Sequence, residues 1–134
     1  MQPIISDALV LSAINSKQGI CLKNGLTIVE VINYIDYFDR TILTYNEFSD
    51  AINRLMTIGF IKIVNDKIYT TKYFRQQIKM HCKKVSGYMN QLEELKKVLD
   101  INKNNFIELE NTFDTFLSLD SYETAMAAYR SRRF

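Results

Sequence analysis

The chain has one histidine, His81, and it stands directly before one of the two cysteines, Cys82. Such a pair can supply a thiolate nucleophile activated by an imidazole, or two ligands for a zinc ion. Neighbouring residues on a helix point about 100° apart, so these two side chains would not face each other. A zinc site would also need more Cys or His ligands, which this chain lacks unless a second copy supplies them. A partly buried, hydrogen-bonded histidine is therefore the favoured interpretation, and no metal site is expected.

Sequence motifs that bind phosphates or catalyse hydrolysis are absent as well. The chain contains no G-x-x-x-x-G-K-[ST], G-x-G-x-x-G or H-E-x-x-H, and its four glycines are few for loops that cradle phosphates. The sequence favours a protein that is not an enzyme and that uses no cofactor.

Positive charge is concentrated in the middle of the chain. Residues 1–70 hold six basic and seven acidic residues, whereas residues 71–103 hold eight basic and three acidic residues, a net of +5. The positive charge is therefore concentrated just after residue 70, which matters for any anionic partner.

Two helices in the first half are marked by capping boxes. Thr27 with Glu30, and Thr44 with Glu47, have the T-x-x-E spacing in which each side chain satisfies a backbone N–H at the helix start. Apolar residues then recur at helical spacing, which predicts helices over 27–39 and 45–58. The outer face of the second helix would carry Asn46, Glu47, Ser49, Asp50, Asn53, Arg54 and Thr57.

The stretch "GFIKIVNDKIYTT", residues 59–71, predicts a β-hairpin. Asn65-Asp66 suits a two-residue turn because both residues tolerate positive φ. The predicted pairs are Val64 with Lys67, Ile63 with Ile68, Lys62 with Tyr69 and Ile61 with Thr70. Alternation then places the isoleucines on an inner face that must pack on the preceding helices, because an isolated hairpin is marginal in water.

Helices followed at once by such a hairpin resemble the winged helix-turn-helix superfamily, and "EFSDAINRLMTIGFIKIVNDKIYTT" resembles its recognition helix and wing. The expected fold is mainly α with one small β-hairpin: a winged helix-turn-helix over 1–72, followed by C-terminal amphipathic helices over 73–134. The resemblance implies binding of double-stranded DNA, with the recognition helix in the major groove and the wing on the backbone. The base-facing candidates that it implies are Tyr45, Asn46, Ser49, Asn53 and Arg54, and the wing candidates are Lys62, Asn65 and Lys67.

Other partners stay open. Glu47 and Asp50 lie on the same predicted outer face and would repel phosphates. Winged helices also dock proteins, so the alternative is an adaptor or inhibitor that does not bind DNA. A third possibility is a ligand sensor with an apolar pocket lined by Phe74, Tyr88 and Phe113.

From Tyr73 onward apolar residues recur with a period of seven, which predicts a long helix with a narrow seam. Ser86 and Gly87 weaken its middle, so a kink or break is plausible there. A second amphipathic segment, 105–116, would form a helical hairpin with it. The seam is either internal or the contact of a homodimer, and a small dimeric transcriptional regulator is the expected protein. The seam residues are Ile78, Val85, Leu92, Leu95 and Leu99.

Lys72, Arg75, Lys79 and Lys83 form a basic stripe on the same predicted helix. A solvated face explains the stripe, and contacts to phosphates would use the first three of these residues. No apolar run is long enough to cross a bilayer, and the start of the chain lacks the pattern of a signal peptide. Two cysteines without C-x-x-C spacing suit a reducing compartment, so a cytoplasmic protein without a membrane partner is expected.

Overall fold

The computed structural model describes residues 5–18, 25–103 and 118–132. In this part of the chain, helices surround one two-stranded antiparallel hairpin, which confirms the predicted fold class at the level of mainly α with a small hairpin. The elements are α1 (Ile5–Gln18), α2 (Ile28–Asp39), α3 (Tyr45–Thr57), β1 (Ile61–Val64), β2 (Lys67–Thr70), α4 (Lys72–His81), α5 (Tyr88–Ile101) and α6 (Leu119–Arg132).

Both predicted capping boxes are confirmed. The Thr27 and Thr44 side chains accept a hydrogen bond from the backbone N–H three residues on. The Glu30 carboxylate accepts a hydrogen bond from the Thr27 backbone N–H, and the Glu47 carboxylate accepts one from the Thr44 backbone N–H. These reciprocal bonds satisfy backbone donors that the first helical turn leaves unpaired, which is why α2 and α3 begin where they do.

The hairpin has the predicted register in all four pairs, from Ile61 with Thr70 to Val64 with Lys67. Asn65 (φ 51°) and Asp66 (φ 62°) form the turn in the left-handed region, as predicted. A third segment joins the hairpin before α2. The Leu26 N–H donates to the Ile68 carbonyl at 2.9 Å, and the Ile68 N–H donates back at 2.8 Å. β2 is therefore paired on both sides at this position.

The predicted long helix is two helices, and the break between them includes Ser86 and Gly87, where the sequence allowed one. α4 ends at His81 and α5 begins at Tyr88, with a non-helical linker over 82–87. Gly87 has a φ of 90°, which an L side chain rarely adopts, and it ends the linker at the start of α5. The linker is held by Glu94 of α5, whose carboxylate accepts the Lys83 N–H at 2.7 Å.

One hydrophobic cluster draws on all six of these helices and on the hairpin. α5 packs on α1, and α6 packs on α2. Leu92, Leu95 and Leu99 are buried in this cluster, so the seam that they form is internal. The division into 1–72 and 73–134 stays a prediction, and the predicted segment 105–116 lies outside the described residues.

Among the described residues, no helix combines the length and the apolar character that crossing a bilayer requires.

Candidate nucleic-acid interface

The predicted outer face of α3 is largely inside the protein. Ser49, Asn53 and Arg54 are only 3%, 2% and 7% exposed, so their expected position at the surface is wrong. α1 packs along α3, so the face of α3 that sequence spacing assigned to solvent has a neighbouring helix. Side chains buried in this way cannot reach base edges in a groove.

Arg54 is held by Asp7 of α1. Its Nε donates to both carboxylate oxygens, at 2.9 and 3.0 Å, and its Nη2 lies 2.8 Å from Oδ1. The Asp7 side chain is fully buried, so each charge requires the other for compensation. Arg54 therefore joins α1 to α3.

The N-terminal end of α3 lies under α6. The Tyr122 ring contacts the rings of Tyr45 and Phe48, and its hydroxyl donates to the Leu43 carbonyl. A recognition helix contacts bases mainly with its N-terminal residues, and here that end is partly covered. Of the five base-facing candidates, only Asn46 is exposed, and its exposed neighbours on α3 are Glu47 and Asp50.

The polar residues of the hairpin keep their predicted exposure. Lys62, Asn65 and Lys67 are all exposed. The Lys62 ammonium lies 5.9 Å from the centre of the Tyr69 ring, within range of a cation–π contact. Tyr69 in turn lies against Gly25, where an added Cβ would be 2.7 Å from a ring carbon. The outer face of the hairpin is therefore ordered by packing on the segment that precedes α2.

The basic stripe on α4 begins where the hairpin ends. Lys72, Arg75 and Lys79 are exposed on α4. Arg75 fastens this face to β2, because its Nη1 donates to the Thr70 carbonyl and hydroxyl, both at 3.1 Å.

Residues 67–92 contain six Lys or Arg and no Asp or Glu. The ion pairs found within the described ranges lie elsewhere, between α1 and α3 and on α5. We call Lys62, Lys67, Lys72, Arg75 and Lys79 the basic surface.

His81 is the last residue of α4, and Cys82 follows it as the C-cap. The Cys82 thiol is half-buried and donates to the Glu94 carbonyl at 3.3 Å, and burial, with the nearby Glu94 carboxylate, raises the pKa of the thiol. A raised pKa lowers the thiolate fraction that nucleophilic chemistry requires. In the part of the chain that the structure covers, no three His, Cys, Asp or Glu side chains come close enough together to hold a metal ion.

The two described residues of the predicted ligand pocket pack against different aromatic rings. Phe74 is fully buried against Phe60, with ring centres 5.1 Å apart, whereas the Tyr88 ring stacks on Phe38 of α2. Phe113 lies outside the described residues. The apolar pocket expected between Phe74, Tyr88 and Phe113 therefore stays a prediction.

Sequence reasoning missed one surface. Tyr37 is 76% exposed and Phe38 is 47% exposed at the C-terminal end of α2, and both belong to a group of touching aromatic rings. Tyr34, Tyr37 and Phe38 have the i, i+3, i+4 spacing of one helix face, and this spacing was the available signal. We call Tyr37, Phe38 and Tyr88 the aromatic surface.

Comparison of the chain with protein-family models, with curated proteins and with solved structures finds no match.

Proposed function

We propose that this chain is a winged-helix protein that binds duplex DNA through its phosphate backbone, with the wing and α4 rather than with base contacts from α3. The element order α1, α2, α3, hairpin supports the winged-helix interpretation, as does the Leu26–Ile68 bridge, which pairs the segment before α2 with the hairpin at one residue. The observation that carries the proposal is the basic surface, which is exposed and lies in a part of the chain poor in carboxylates.

The dimensions of α4 suit this role. Lys79 follows Lys72 by seven positions, which corresponds to about 10 Å along the helix axis. Duplex DNA presents one phosphate charge per about 1.7 Å of its axis, so about six phosphates pass over that length. Each phosphate that a lysine or arginine neutralises releases counterions, and that release drives sequence-independent binding.

Base readout by α3 is not part of the proposal. Asn53 and Arg54 are inside the protein, and the exposed Glu47 and Asp50 would repel the backbone on either side of a groove. Any sequence preference would come from the shape and flexibility of the DNA at the wing. A homodimer, if one forms, uses a surface other than the buried leucines of α5.

The test is salt-dependent binding to a random-sequence duplex, with two double variants of equal charge. Lys72→Gln with Lys79→Gln removes two charges from the basic surface. Lys96→Gln with Lys97→Gln removes two charges from α5, where both lysines already pair with glutamates. The slope of log K against log salt should flatten by about 1.8 in the first variant, because each lost phosphate contact removes about 0.9. The second variant should keep the wild-type slope.

Two results would contradict the proposal. Equal slopes for the two double variants would mean that any binding reflects total charge and not this surface. Absence of binding at about 50 mM salt, where screening is weak, would end the DNA proposal altogether.

A specific observation favours a second candidate, a winged-helix module that docks a protein. The exposed residues of α3 are acidic, and α6 covers the end of the helix that would enter a groove. Failure of duplex binding in the experiment above would favour this candidate.

A further inference from the structure

We propose that a cavity between α1, α4 and α5 binds a small organic acid, which is a carboxylate carried on an apolar body. The cavity lies beside the linker over 82–87 and shares no residue with the basic surface. Binding here would therefore not depend on the proposed binding of DNA. Three observations support the site: the size of the cavity, the character of its lining and the charge at its rim.

The cavity lies at the break between α4 and α5. Protein interiors contain few gaps larger than a water molecule, yet a volume of about 220 Å³ is left beside the linker. An apolar cavity of about 150 Å³ takes up benzene, so an aromatic ring fits here. The remaining volume of about 70 Å³ corresponds to about two water molecules in the liquid, which is enough for a carboxylate.

Part of the lining is aliphatic. Ile78 of α4, Val85 of the linker and Leu95 of α5 line the cavity, and Leu95 is only 3% exposed. Apolar walls with a few polar groups are the usual composition of a small-molecule site. An inorganic anion alone would leave these aliphatic side chains against water, so the ligand needs an apolar body.

α1 adds polar groups to the lining. Asn15 and Ser16 are half-buried, and their side chains form no hydrogen bond with any residue in 5–18, 25–103 or 118–132. The Ser12 hydroxyl, by contrast, lies 3.4 Å from the Tyr34 hydroxyl and is already paired. The Asn15 amide and the Ser16 hydroxyl can therefore donate to an oxygen atom of a ligand.

The rim of the cavity is positive. Lys83 and Lys84 line it and are exposed, and Glu94 is the one carboxylate among the described residues of the lining. Glu94 accepts the Lys83 N–H at 2.7 Å, and its Oε1 lies 3.4 Å from the Lys97 ammonium. Three lysines thus stand around one glutamate, and this excess of positive charge holds whichever lysine pairs with it. A ligand with a negative charge is attracted to such a rim.

The test titrates the full chain with benzoate at fixed ionic strength and follows the backbone amides by NMR. Benzamide, which has the same ring and the same number of non-hydrogen atoms but no charge, is the matched control. Benzoate should bind saturably and roughly tenfold more tightly than benzamide, because a charge-assisted contact is stronger than a neutral one. Equal affinities for the two probes, or no saturable binding of benzoate up to about 10 mM, would overturn the proposal.

The position of the bound probe is a second readout. The largest shift changes should fall on the backbone amides of Asn15, Val85 and Gln91, which line the cavity. Inorganic phosphate has charge but no apolar body, so it should bind several-fold more weakly than benzoate. Shift changes centred on the hairpin, or equal affinities for phosphate and benzoate, would mean attraction to exposed lysines alone and overturn the proposal.

Two double variants of equal charge test the rim. Lys83→Gln with Lys84→Gln should weaken benzoate binding by roughly tenfold and leave benzamide binding unchanged, because only the charged probe uses the lysines. Lys62→Gln with Lys67→Gln removes the same charge from the hairpin and should keep benzoate affinity within about twofold of wild type. Equal losses in the two double variants would show a response to total charge and overturn the proposal.

Two single variants test the location of the site. Ser16→Leu adds an aliphatic side chain to the lining and should weaken the binding of both probes, since it occupies part of the cavity. Circular dichroism checks its fold, and the exposed lysine variants test the site even if this variant unfolds. Tyr37→Ala, on the aromatic surface, should leave benzoate binding unchanged. Wild-type binding by folded Ser16→Leu, or loss of binding in Tyr37→Ala, would overturn the proposal.

Discussion

Replacement of Arg54 by methionine separates the two roles that this residue has been assigned. If Arg54 faced a DNA groove, Arg54→Met would change stability by no more than about 0.5 kcal/mol, as surface changes usually do. In the structure the guanidinium instead compensates the fully buried carboxylate of Asp7. Methionine keeps most of the apolar stem of the side chain, so the change removes charge and hydrogen bonds rather than volume.

The expected loss is large. Removal of one partner from a buried ion pair costs about 3 to 5 kcal/mol, because the remaining charge stays buried without compensation. The total stability of a small domain is about 5 to 15 kcal/mol, so at least about a fifth of it would be lost. With an m-value of about 2 kcal/mol/M, the urea midpoint should fall by about 2 M.

Two further variants complete the measurement. Lys67→Met likewise replaces one positive charge by methionine, but at an exposed position of the hairpin, and should leave the midpoint nearly unchanged. The double variant Asp7→Leu with Arg54→Met should recover part of the loss, because a buried ion pair replaced by apolar residues of similar volume is often neutral. Equal midpoints for Arg54→Met and Lys67→Met would refute the assignment of Arg54 as a buried link between α1 and α3.

Three other outcomes are expected. Leu92→Glu should unfold the protein, as circular dichroism would show, and not yield a folded monomer, because the side chain is buried within a single chain. Ile68→Ala should lower the free energy of unfolding in urea by about 2 to 5 kcal/mol, because Ile68 is buried on the inner face of the wing. In a Cys21→Ser background, iodoacetamide at pH 8 should alkylate Cys82 more slowly in the folded protein than in urea. The pKa of the buried thiol is raised, so less thiolate is present at that pH.

The features that the sequence predicted correctly are decided by residues close together in the chain. A capping box depends only on two residues three positions apart, so Thr27 and Glu30 predict the start of α2 without any tertiary information. The hairpin register follows in the same way from the two-residue turn at Asn65 and Asp66, since the turn fixes every pair that follows.

The heptad pattern could not locate the end of α4, because a period of seven continues across a break in the helix. Ile78 and Val85 keep the heptad spacing, but Val85 lies in the linker between α4 and α5. Both residues, with Leu95, line a cavity of about 220 Å³ between α1, α4 and α5. Apolar residues separated by one heptad can pack together on one helix or across a turn. Gly87 was the sign of the second arrangement, because its positive φ is incompatible with a continuous helix.

The error at α3 bears most directly on function. Helical periodicity identifies one buried face, defined by residues such as Phe48 and Ile52, and by default it assigns the rest to solvent. α3 has more than one neighbour, so Asn53 and Arg54 are buried on what was to be the outer face. Residues 67–92 contain no Asp or Glu, and this composition does not depend on tertiary packing. The positive charge after the hairpin could therefore be located from the sequence alone. Binding to the DNA backbone depends on that charge, whereas base readout depends on which side chains of α3 are exposed. The proposal of DNA binding therefore rests on the hairpin and α4.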